Sequence, residues 1–88
     1  MKTRTAKQQQ KIEMLLPVSD AHYVLEGVAR TLLRSGLSRE KAMRPLMNAA
    51  NRLLRVAVTD RNIQVSDKVL DEEARKIAAK LLRNPPKD

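Results

Sequence analysis

Val24, Leu25, Val28, Ala29, Leu32 and Leu33 recur at spacings of three and four residues. That period puts apolar side chains on one face of an α-helix; a half-buried strand would alternate them instead. The same period returns in Leu70, Ala74, Ile77, Ala78, Leu81 and Leu82, and a broader version runs from Leu46 to Val58. A chain of 88 residues that commits its apolar residues in this way reads as one small all-α domain.

Local signals set the expected boundaries. Ser19 and Asp20 offer an N-cap after Pro17, and Ser35-Gly36 offers a stop, which places a helix near 19–35. Ser38 caps the next element and Glu40 sits in its first turn. Pro45 leaves two options. One kinked helix runs over 38–58, or a short helix 38–43 gives way to a second that starts at Pro45. Asp60-Arg61-Asn62 closes that stretch, Ile63-Gln64-Val65 alternates like a short extended piece, and Ser66-Asp67 caps a last helix over 67–83. The resulting expectation is a bundle of four to five helices, helix-turn-helix-like, with a flexible basic N-terminal arm. Its divisions are an arm over 1–17, a helical domain over 18–83 and a tail over 84–88.

Composition then removes function classes. There is no cysteine, so there is no disulfide framework, thiolate metal site or cysteine nucleophile. Tyr23 is the only aromatic residue, too few for the stacking platforms of single-strand binders. One histidine, His22, stands alone in a first turn and reads as a boundary residue. No nucleophile–base pair, phosphate loop or metal-ligand spacing occurs, so the expectation is a protein that is not an enzyme and needs no cofactor or small-molecule ligand. No apolar run is long enough to span a bilayer, and a cytoplasmic protein is the simplest reading.

Charge supplies the positive signal. Eighteen Lys and Arg stand against ten Asp and Glu, a formal +8. Residues 1–11 carry +4 through Lys2, Arg4, Lys7 and Lys11, and residues 36–62 carry another +4. Segregation of this kind is the footprint of a polyanion partner. Within the second segment, Arg44, Asn48, Asn51, Arg52, Arg55 and Thr59 fall within about 100° of one helical face. That stripe contains no acid. Arg can pair with guanine and Asn with adenine in a major groove, and Arg and Thr can hold phosphates. Arg39 and Lys41 add cations near a helix N-terminus, which suits phosphates.

These residues point to a sequence-specific regulator that reads double-stranded DNA with a recognition helix at 45–58, most simply a small dimeric repressor. The last helix, nearly neutral and clearly striped, is the expected dimer contact. In size, charge and helical build the chain is similar to the small repressors of plasmids and phages. The alternative is a helical adaptor for an acidic protein, followed by a non-specific nucleic-acid binder.

Overall fold

A computed structural model describes residues 5–85 of the chain, the side chain of Lys7 excepted. All its regular structure is helical: α1 (Ala6–Glu13), α2 (Leu15–Arg34), α3 (Arg39–Asp60) and α4 (Asp67–Arg83). Residues 63–65, read as a short extended piece, form no strand; Ile63 and Val65 instead pack half-buried against the core.

Ser38, Ser66 and Gly36 act as predicted, but the N-cap expected at Ser19 and Asp20 is not formed: both lie inside α2, which starts at Leu15 after Met14 with no side-chain cap. Ser38 Oγ accepts from Lys41 N–H at 3.2 Å, and Ser66 Oγ accepts from Val69 N–H at 3.3 Å. Gly36 follows α2 with φ of +97°, a conformation that only a residue without Cβ adopts cheaply. At the end of α3, Asn62 takes the left-handed position with φ of 55°. Its N–H reaches Thr59 C=O and the Ile63 N–H reaches Val58 C=O at 2.8 Å, a complete Schellman motif.

Pro17 does not delay the helix to residue 19, and of the two options at Pro45 the single helix running through it is the one formed. Pro17 is buried near the start of α2, and its missing N–H leaves the Glu13 carbonyl without a helical donor. Its ring crowds the carbonyl four residues back, Glu13, and α1 ends there. The interruption therefore falls at Met14 rather than at Pro17. Met14 itself keeps a right-handed helical backbone (φ −80°, ψ −12°), so α1 and α2 run on as one rod. The arm is thus helical from Ala6, secured by a capping box between Thr5 and Gln8, and the division drawn at residue 17 falls inside α2. Lys2 and Arg4 lie outside the described residues.

Pro45 lies within α3, which continues through it from Arg39 to Asp60. Pro45 is exposed, so the Lys41 carbonyl that loses its helical donor opens towards solvent. There is no turn between a helix 38–43 and a helix 45–58. The helix-turn-helix split is not formed, and the bundle has three helical rods instead of four to five helices.

α3 packs against both α2 and α4, and α2 against α4. Buried residues recur every fourth position, as Pro17, Ala21, Leu25 and Ala29 in α2 and as Ala42, Leu46, Ala50, Leu54 and Val58 in α3. Leu25, Leu46 and Leu54 fill the centre, and the alanines between them let the helices approach. No polar or charged side chain is buried among the described residues. All six apolar residues predicted to face inward from the last helix do so. They are consumed by the chain's own core, so α4 has no apolar stripe left for the expected dimer contact. Met14 is buried, and Met43 and Met47 pack against the core, as filler.

Candidate nucleic-acid interface

The stripe divides into two halves with different partners. Asn51 is half-buried against α4, where its amide donates to Asp71 Oδ1. Its carbonyl accepts from Arg55 Nε at 2.6 Å, and Arg55 Nη1 reaches Asp67 Oδ1 at 2.8 Å. The four residues form a chain of hydrogen bonds that ties α3 to the first two turns of α4. The stripe is acid-free on its own helix, but two carboxylates reach it from a neighbour. Asp71 and Asp67, both on α4, are the two.

The other half faces solvent. Arg44, Asn48 and Arg52 occupy three successive turns of α3, all exposed. Arg39 and Lys41 stand exposed at the N-terminal end of the same helix. The side chains of these five residues make no hydrogen bond or ion pair among the described residues. Asn48 and Arg52 line a shallow hollow of about 320 Å³ with Met47, Asn51, Asp71 and Ala74. Thr59 is exposed beside Arg55 and Asn62 at a separate hollow one turn from the end of α3.

Lys11 belongs elsewhere. It lines a groove between α1 and α4 with Leu15, Val69, Glu72 and Glu73. About 100° per residue along α4 puts those positions opposite Asp67 and Asp71. The structure therefore does not bring Lys11 together with the α3 stripe. The side chain of Lys7 lies outside the description.

Remaining candidates have structural roles. Arg61, not singled out from sequence, reaches Asp20 Oδ2 at 2.7 Å and joins the end of α3 to α2. His22, half-buried as expected but in the third turn of α2 rather than a first turn, has its Nδ1 3.4 Å from Glu26 Oε1 one turn away. Tyr23, the one aromatic residue, is 79% exposed. Val56, placed in the apolar arc of α3, is exposed as well. The described residues hold no group of three or more metal-ligating side chains, and no described helix is long and apolar enough to cross a membrane.

The network between α3 and α4 makes a measurable prediction. A cycle of Asn51→Ala and Asp71→Ala, followed by urea unfolding, is expected to show a coupling of about 1 kcal/mol. A coupling indistinguishable from zero would mean that water competes the contact away.

No known protein family matches the chain, and no curated protein or solved structure matches it either.

Proposed function

We propose that the protein binds double-stranded DNA through the outer face of α3 and acts as a small transcriptional regulator, a repressor where its site overlaps a promoter. The observation that carries this reading is the sorting of the arginines. Arg55 and Arg61 are committed to carboxylates, whereas Arg44 and Arg52 are aimed at solvent with no partner among the described residues. Long cations held on a rigid helix without acids beside them on that helix attract a polyanion.

The spacing favours a duplex. Arg44 and Arg52 are eight residues apart, about 12 Å along the helix axis, and the major groove of B-DNA is about 12 Å wide. Asn48 stands one turn from each. A helix laid over the groove mouth can set each arginine against a phosphate strand and Asn48 over the base edges. Phosphate contacts position such a helix, and the amide supplies the discrimination. Arg39 and Lys41 extend the backbone contacts past one end.

A mobility-shift titration in rising salt, with random DNA and with sites selected from a random pool, tests the reading. The expected result is a shift with both, tighter for the selected sites, with Asn48→Ala erasing most of the difference. A shift without preference reduces the protein to a non-specific binder. No shift at low salt overturns the reading and moves the basic face to an acidic protein partner.

A further inference from the structure

The largest apolar surface left uncovered lies on the α1–α2 rod, away from the cationic face of α3. Ile12, Leu16, Tyr23 and Val24 are 43%, 65%, 79% and 49% exposed. Together they leave on the order of 500 Å² of apolar and aromatic surface in water, at the upper end of what monomers show. At about 100° per residue, Leu16, Ser19, Tyr23, Gly27 and Arg30 fall within about 80° on α2. They form a seam along the helix.

Gly27 is the odd member. It stands inside a 20-residue helix, where glycine is less stable than alanine. The chain itself does not require it, because a Cβ built there meets nothing within 4 Å. Close approach of something outside the chain would. Charge is uneven along the seam: Glu13 lies towards its start and Arg30 and Arg34 towards its end, while Asp20 is already paired with Arg61 of α3.

We infer that this seam is the contact with a second copy of the chain, two α2 helices packing antiparallel about a two-fold axis between residues 21 and 22. Self-association fits both oddities. Antiparallel pairing about that point sets Leu16 of each copy over Gly27 of the other, a knob over a position with no side chain. It also sets Glu13 of each copy opposite Arg30 of the other. A specific interface of modest size buries about 800 Å² per partner, more than these exposed apolar side chains supply, so the contact is a weak one. Such an interface predicts a reversible dimer with a dissociation constant on the order of micromolar.

Sedimentation velocity without DNA tests the inference independently of the DNA-binding reading. Over concentrations on the order of 1–500 µM, the protein is expected to pass from monomer to dimer. Leu16→Glu and Gly27→Leu should each weaken the dimer at least tenfold while circular dichroism stays unchanged, since both sites are open in the single chain. A wild-type protein that remains monomeric throughout overturns the inference. So does a dimer indifferent to both substitutions, which would place its contact on another face.

Discussion

Replacing Pro45 with alanine is expected to raise the stability of the fold by about 2 kcal/mol. Pro45 is the seventh residue of α3, past the first turn in which proline costs little. There its ring removes a backbone donor and displaces the Lys41 carbonyl. An interior proline costs about 3 kcal/mol relative to alanine. Part of that returns, because proline also restricts the unfolded chain, by about 0.4–1 kcal/mol. Nothing else is lost, since Pro45 is exposed and contributes no core contact. For a domain of this size the shift corresponds to a rise in Tm of roughly 10 °C. Thermal and urea unfolding of P45A measure it directly. A variant no more stable than the parent would mean that the chain turns at Pro45 in solution, as the helix-turn-helix expectation had it, and that α3 is not one helix.

The prolines mark where sequence and structure part. Ser38, Gly36 and Ser66 were legible because a cap is settled within three residues of itself. The inward face of α4 was legible because its period is unbroken from Leu70 to Leu82. Pro17 and Pro45 looked like breaks because their local cost is visible, while the packing that outweighs it is not. Leu46, Leu54 and Val58 beyond Pro45, and Ala42 before it, are all buried in one core, and a turn at Pro45 would have to give up part of that burial. The break that Pro17 does cause falls four residues back, where its ring meets a carbonyl.

Half of the α3 stripe was legible for the same reason as the caps: Arg44, Asn48 and Arg52 share a face by helical geometry alone. The fate of Asn51 and Arg55 was not. It depends on Asp71 and Asp67, twenty and twelve residues away, meeting them across an antiparallel register. Val56 shares the apolar arc of α3 by periodicity yet is exposed, because the helical wheel alone does not say which flank of a wide apolar arc a neighbour covers.

Removing both solvent-facing arginines, in an Arg44→Ala/Arg52→Ala variant, is expected to cut DNA affinity about 100-fold at moderate salt. The two charges act on phosphates in the proposed complex. Each phosphate contact contributes about 0.9 to the slope of log affinity against log salt, so the slope should fall by about 2. Folding supplies no alternative explanation, because both side chains are exposed and make no hydrogen bond or ion pair among the described residues. Substitutions at such positions move stability by no more than about 0.5 kcal/mol. Arg55→Ala is the internal control. It removes the same charge from the same helix, but from a side chain already turned towards Asp67 and Asn51. Its loss should lower the affinity several-fold less than the loss of Arg44 or Arg52 alone. If Arg55→Ala costs as much as Arg52→Ala, the protein responds to net charge and α3 has no directed face. If the double variant keeps both parental affinity and parental slope, DNA does not meet the protein at α3.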